Sequence, residues 1–332
     1  MTESRLADVL VVSSSPHIRA PESVSRIMWD VNLALIPAAF AAVYFFGVPA
    51  LSTMIITVLS CVVFEALFLR LFGKPITITD GSAVVTGLLL AFNLPPTVPW
   101  WLALTGGFIA MFLGKHIYGG LGSNLFNPAL VARVALLVAW PTFMTTFPAP
   151  FGGRGGADAV STATPLGLLK TDVTMGLHLR NSASISVSDL FVGNIPGSLG
   201  EVSALALLLG AGYLLIRKVI SWHIPVAYIG TVVVYSSIYW LIDPTTYASP
   251  AFHVFSGGLM LGALFMATDM VTTPVTKKGM LIFGVGCGLL TMIIRFYGGY
   301  PEGVSFSILF MNALTPLIDK YTKPRVLGEV KK

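Results

Sequence analysis

Charge is what this chain has least of. Asp, Glu, Lys and Arg make up only 11% of its 332 residues, hydrophobic residues make up 55%, and the mean hydropathy is +0.82. Soluble domains carry about 25% charged residues, so a water-solvated globule is excluded and a polytopic membrane protein is implied. Cysteine is almost absent. Cys61 and Cys287 are far apart and each lies inside an apolar run, which reads as two packing thiols rather than a disulfide. A cluster or zinc site built by this chain alone would need more ligands. No GxxxxGK[ST] loop and no paired-metal motif are present, so the chain is not itself a phosphoryl-transfer enzyme. Met1 to Ile27 is polar and lacks the apolar core of a cleavable signal. The net charge of +5 does not indicate nucleic acid, because the basic residues collect in short stretches beside apolar runs.

The apolar runs predict ten spans. They cover about Ile27–Gly47, Ala50–Phe72, Gly81–Leu94, Trp100–Tyr118 and Phe126–Phe143, then Leu199–Ile216, Ile224–Ile242, Val254–Ala267, Met280–Tyr297 and Val304–Ile318. A straight crossing needs about 20 residues, so the third and eighth spans are too short and are expected to be broken or partly re-entrant. With a cytoplasmic N-terminus, fifteen of the twenty Lys and Arg residues fall in inner segments. Only Arg154, Lys170, Arg180 and Arg295 fall outside, and Arg133 lies within a span. This positive-inside bias places both termini in the cytoplasm.

The two halves repeat each other. Gly87 to Pro99 and Gly262 to Pro274 share their spacing, and Tyr118-Gly119-Gly120 matches Tyr297-Gly298-Gly299 after a four-residue insertion. An odd number of spans per half inverts the second half relative to the first. Inverted repeats with paired broken helices are common in transport proteins, with the functional site at the repeat interface. The expected division is a cytoplasmic arm at 1–26, a first five-helix repeat at 27–146, an outer segment at 147–197, a second repeat at 198–319 and a cytoplasmic tail at 320–332.

The outer segment, from about Phe147 to Pro196, is the one long polar stretch. It holds Asp158-Ala159-Val160-Ser161-Thr162-Ala163-Thr164-Pro165-Leu166. Asp, Ser, Thr and Pro at this density favour a turn. The pattern Asp-x-x-Ser-x-Ala-Thr-Pro-Leu also resembles the flavinylation motif of a family of membrane redox subunits. That family comprises the D subunit of the Rnf complex and the B subunit of the sodium-pumping NADH:quinone reductase. The usual family form has Gly where this chain has Thr162, which puts a second hydroxyl two residues before Thr164. Further stretches carry the same resemblance from about Arg19 to Asp319. They are Thr79-Asp80-Gly81-Ser82-Ala83, the glycine-rich run Gly114 to Gly122 with Asn124 to Ala129, Phe265 to Asp269 with Thr272-Thr273-Pro274, and Tyr300-Pro301-Glu302-Gly303. The short N-terminal arm favours the Rnf type over the quinone reductase type.

The resemblance implies a urea-channel-like fold and FMN bound to Thr164 through a phosphodiester. A separate flavin transferase would make the bond, Thr164 attacking the pyrophosphate of FAD with release of AMP. Asp158, Ser161, Thr162 and Ala163 would complete the motif, Asp158 serving either transferase recognition or a solvated turn. The resemblance further implies a second, noncovalent flavin (riboflavin) in the membrane part. It also implies electron transfer between ferredoxin and NAD on partner subunits, coupled to sodium or proton movement in the bacterial cytoplasmic membrane. Asp80 and Asp269 would cap helices, or face an ion or a ring together with Glu302. Glu65 and Arg133 are expected to be the charges well inside spans, and intramembrane charges are functional candidates. A structural ion pair or contact with another subunit explains them equally. Lys115 and His116 are expected to snorkel from a tight interhelical turn. A channel or solute permease shares the inverted repeat and broken spans but has no need of the Thr164 motif. A topology reporter fused after Lys170 is expected to behave as periplasmic and one after Lys278 as cytoplasmic; reporters on one common side would refute the ten-span order.

Overall fold

The computed structural model describes residues 23–151, 161–176, 179, 182 and 185–323. Ser23 caps α1 (Val24–Phe46), its hydroxyl accepting from the Arg26 N–H at 3.2 Å. Gly47, at φ +69°, turns the chain at once into α2 (Val48–Leu71). Gly81, also left-handed, opens α3 (Ser82–Phe92), while the Asp80 carboxylate takes the Ser82 N–H at 2.8 Å. α3 has 11 residues, about 16 Å of helix against about 30 Å of hydrocarbon. α4 (Trp100–Ile109) continues without interruption into a π-helical stretch, Ala110–His116. Asn127 caps α5 (Pro128–Ala139), and α6 (Pro141–Met144) follows.

The polar segment carries structure of its own. β1 (Phe147–Pro148) pairs antiparallel with β2 (Ser161–Thr162), Phe147 opposite Thr162 and Pro148 opposite Ser161. Two helices follow, α7 (Pro165–Met175) and α8 (Val187–Val192). α7 ends on left-handed Gly176. The fully buried Asp172 accepts the Ser182 N–H and hydroxyl, both at 2.8 Å, and so folds the following chain back onto α7. Leu166, Leu169 and Leu190 form a small core there with Ile195, Ala248 and Phe252. Asp158 lies outside the described residues.

The second half contains α9 (Ala204–Ile216), α10 (His223–Ile242), α11 (Pro250–Phe255) and α12 (Leu259–Leu261), which runs into a second π-helical stretch, Gly262–Met266. α13 (Lys277–Tyr297) and α14 (Val304–Thr322) complete the described chain. Among the described residues, α1, α2, α10 and α13 are long and apolar enough to cross a membrane, and α3, α5 and α9 are shorter apolar helices. Along α2, Leu51, Ile55, Leu59, Val63, Leu67 and Leu71 expose one apolar stripe, while Thr53, Thr57, Ser60 and Glu65 are buried. Apolar outside with hydroxyls inside suits a helix solvated by lipid and packed on its neighbours through small and polar groups.

Packing recurs between the halves. α2 packs on α3 and α4, as α10 packs on α11 and α13; α4 meets α5, as α13 meets α14; α1 packs on α9 and α5 on α14 across the middle. At the α1–α9 crossing, a methyl group on Gly210 would collide with the carbonyl oxygen of Ala34, whereas one on Gly212 would meet nothing within 4 Å. Gly210→Ala is therefore expected to destabilise the protein by at least about 1–3 kcal/mol, with Gly212→Ala near neutral, as read by thermal unfolding in detergent.

Candidate functional site

Thr164 sits at the N-cap of α7, extended at φ −66° and ψ 156°, its hydroxyl oxygen accepting the Gly167 N–H at 3.2 Å. Pro165 suits the first helical position because its missing N–H would be unpaired there anyway. Thr164 is half-buried and Ala163 exposed. The Thr162 hydroxyl is buried without a hydrogen-bond partner. Ser161 stands in β2, opposite Pro148.

Thr164 opens on a cleft lined also by Arg133, Leu166, Glu201, Tyr300 and Glu302. Arg133 projects from α5, nine-tenths buried. Its Nε donates to the Asn93 carbonyl at 3.4 Å, one terminal nitrogen to the Ser305 hydroxyl at 2.8 Å, and the other pairs with Glu302 Oε2. That second nitrogen stands 4.0 Å from Glu201 Oε1. The free Glu302 oxygen accepts the Gly258 N–H at 2.6 Å, just ahead of α12. Arg133 and Glu302, distant in sequence, thus meet beside Thr164. On the far side of α7, Lys170 donates to the Arg295 and Phe296 carbonyls at the C-terminal end of α13, at 3.1 and 3.3 Å. Burial holds its ammonium below the ordinary lysine range.

A second cleft lies at the opposite end, between α1, α3, α5, α9 and the stretch after α12. Ser82, Thr86, Lys115, Asn124, Asn127, Phe265, Thr268 and Asp269 are among its lining residues. Asp80 stands behind it as the cap of α3, its carboxylate also accepting the Ser82 hydroxyl at 2.7 Å. Asp269 accepts from the Val271 N–H at 3.4 Å and the Thr272 hydroxyl at 3.3 Å, and burial pushes its carboxyl up.

Several expectations are corrected. Lys115 does not snorkel. It is 2% exposed, and its ammonium lies 2.5 Å from Glu65 Oε1 and 2.7 Å from the Ser82 hydroxyl. The π-helical stretch turns the side chain inward between α2 and α3, which no periodicity of a regular helix foretells. His116 is buried against the rings of Phe68 and Phe72, with both nitrogens unpartnered. Glu65 and Arg133 are not the only buried charges and do not meet, each having a different partner. Arg295 is a further buried charge: in the last turn of α13 it donates to the His253 and Ser256 carbonyls at 2.6 and 3.0 Å. Glu201, another buried acid beside Arg133, falls inside the predicted sixth span, where an acidic residue is itself a signal.

Interrupted apolar helices, an apolar outer face and charged side chains buried among the helices define a helical membrane protein with a cleft at each end. The model of the NQR2, RnfD, RnfE family matches residues 11–328, and the chain belongs to that family. It is 49% identical over 333 residues, 99% of each chain, to the D subunit of the proton-translocating ferredoxin:NAD(+) oxidoreductase complex of Clostridium ljungdahlii. Over 325 residues, 97% of this chain and 96% of the relative, it is 49% identical to the D subunit of the Na(+)-translocating ferredoxin:NAD(+) oxidoreductase complex of Acetobacterium woodii. It is 44% identical over 327 residues, 92% of each, to the D subunit of the ion-translocating oxidoreductase complex of Stutzerimonas stutzeri.

Removing one member of a buried ion pair strands the other charge and costs about 3–5 kcal/mol, whereas an apolar replacement of both is often neutral. Lys115→Met is therefore expected to destabilise by that amount and Lys115→Met with Glu65→Leu to recover most of it, measured by unfolding in detergent.

Proposed function

We propose that this chain is the membrane electron-relay subunit of an Rnf-type complex, carrying FMN covalently on Thr164. In that reading electrons pass between ferredoxin and NAD, both handled by partner subunits, with sodium or proton translocation coupled to the transfer. The observation that carries it is the placement of the motif's last threonine. Thr164 caps an 11-residue helix and opens on the cleft that contains Arg133.

That placement suits a phosphodiester. The positive end of a helix and its free N–H groups favour a phosphate, and a guanidinium is a strong phosphate partner. The two candidate hydroxyls differ in the required way: that of Thr162 is buried, while Thr164 lines the cleft. When bound, FMN supplies one-electron and two-electron redox chemistry. The residues of this chain would hold it: Thr164 as the covalent anchor, the α7 N-terminus and Arg133 for its phosphate, and Tyr300 and Leu166 along the cleft wall. A flavin transferase would form the bond. Asp158, Ser161 and Ala163 belong to this reading as motif residues.

The paired packing of the two halves supports ten transmembrane helices in two inverted five-helix repeats. With the charge bias of the loops, it supports termini in the cytoplasm and Thr164 outside. In this reading a noncovalent flavin such as riboflavin would bind in the opposite cleft, whose wall of apolar side chains with Phe265, Asn124, Asn127 and Asp269 supports it. Relatives equally similar to this chain are named for protons and for sodium, so overall identity does not select the coupling ion.

Co-expressed with its flavin transferase, the wild type is expected to give an FMN-bearing Thr164 peptide by mass spectrometry. Thr164→Ala abolishes the adduct and leaves the helices folded, while Thr162→Ala and Ser161→Ala retain it. An unmodified wild-type peptide would return a channel or permease to the front, and FMN on Thr162 would refute the assignment of the anchor.

A further inference from the structure

Glu201 lies between α8 and α9, and its side chain is only 8% exposed. Its surroundings are unbalanced. Arg133, from α5, closes its ion pair on Glu302 and stands 4.0 Å from Glu201 Oε1. Glu302, ahead of α14, has the Gly258 N–H as a further donor. Arg295, from α13, approaches the same place, since a methyl group on Gly257 would lie 3.4 Å from its guanidinium and 3.6 Å from Glu302 Oε1. Both terminal nitrogens of Arg295 nevertheless donate to backbone carbonyls. The donor to Glu201 Oε1 is the Ser198 hydroxyl, at 3.0 Å. The second carboxylate is close, for a methyl group on Gly258 would meet Glu302 Oε1 and lie 3.8 Å from Glu201 Oε1.

Among the described residues, then, three charged groups face Glu201, and no cation comes within hydrogen-bonding distance of it. Arg133 at 4.0 Å favours the ionised form, but the same nitrogen is closed on Glu302; burial and the second carboxylate oppose it, and binding a proton removes that penalty. Glu201 also lines the cleft into which Thr164 opens, so that proton has a place to go.

We propose that Glu201 is the proton relay of this cleft, holding a proton at rest and passing it between cleft water and the redox group on Thr164. The inference rests on Thr164 as the flavin anchor. For each electron delivered to that group by a redox centre of a partner subunit, one proton leaves the Glu201 carboxyl for the reduced ring. One proton from water then restores the acid. Oxidation runs both transfers backwards and returns the proton to the water.

The test has two arms. In the Thr164→Ala background, which removes the proposed anchor, Glu201→Gln is expected to delete a deuterium-sensitive carboxylic-acid stretch from the infrared spectrum. An unchanged spectrum would show Glu201 ionised and overturn the proposal whatever occupies Thr164. In the flavin-loaded protein, stopped-flow reduction of the flavin by a chemical reductant should slow about a hundredfold in Glu201→Gln, as loss of a general acid does. The rate should also lose its fall at high pH, while Glu201→Asp, checked for unchanged thermal stability, keeps that fall. Wild-type rates and pH profile in Glu201→Gln would sink the relay. A wild type without FMN on Thr164 would overturn the relay together with the flavin assignment, whereas the infrared band would still report the proton on Glu201.

Discussion

An unwound stretch of backbone inside an apolar layer has no water to bond, so its N–H and carbonyl groups must find partners within the protein. The architecture can be followed from that requirement. α3 stops after 11 residues, and the carbonyls of Phe92 and Leu94 at its end accept the Gly200 and Leu199 N–H groups, at 2.8 and 3.1 Å. The Pro96 carbonyl accepts the Thr53 hydroxyl at 3.0 Å, and the Asn93 carbonyl accepts Arg133. In the other half, the N–H of Gly258 ahead of α12 goes to Glu302. Each interruption is completed by the opposite half or by a different helix, so the halves cannot separate without stranding backbone groups.

The buried charges follow from the same requirement. Glu302 satisfies a backbone donor, Arg133 neutralises Glu302, and the remaining Arg133 nitrogens bond Asn93 and Ser305. The result is a polar hub at the end of the molecule where α7 begins. Thr164 is positioned against that hub because Leu166, two residues on, packs into the small core of α7 and α8 and lines the same cleft. The Lys115–Glu65 pair has a different logic: it joins α2 to the π-helical end of α4 and, through Ser82, to the start of α3. The two clefts thus lie at opposite ends of one bundle, the Lys115–Glu65 pair beside one and the Arg133–Glu302 pair beside the other.

Much was legible in the amino-acid sequence because it is written in local chemistry. Low charge and long apolar runs specify a helical membrane protein, since only internally bonded backbone tolerates lipid. The bounds expected for the seventh and ninth spans lie within three residues of α10 and α13, because long uninterrupted apolar runs leave little choice of register. The family could be read from the Thr164 motif and its companion stretches, and the matched family bears that out. The polar, turn-favouring character of the outer segment, by contrast, concealed α7 and α8, whose stability comes from Asp172 and a six-residue core assembled across distant segments.

What only the tertiary structure decided is which charges meet. Glu65 finds Lys115 fifty residues away and Arg133 finds Glu302 at 169 residues, pairings that depend on helix crossings rather than on local spacing. Lys115 defeated the sequence reading because a lysine beside a glycine-rich turn ordinarily reaches for water, and a π-helical stretch turned it inward instead. The sequence by itself determined the membrane class, the family and the candidate anchor, since these depend on composition and on contiguous residues. The partner of each buried charge, the threonine that lines a cleft and the surroundings of Glu201 were left to the packing of the two halves, because burial removes water as the default partner and only folded geometry supplies another.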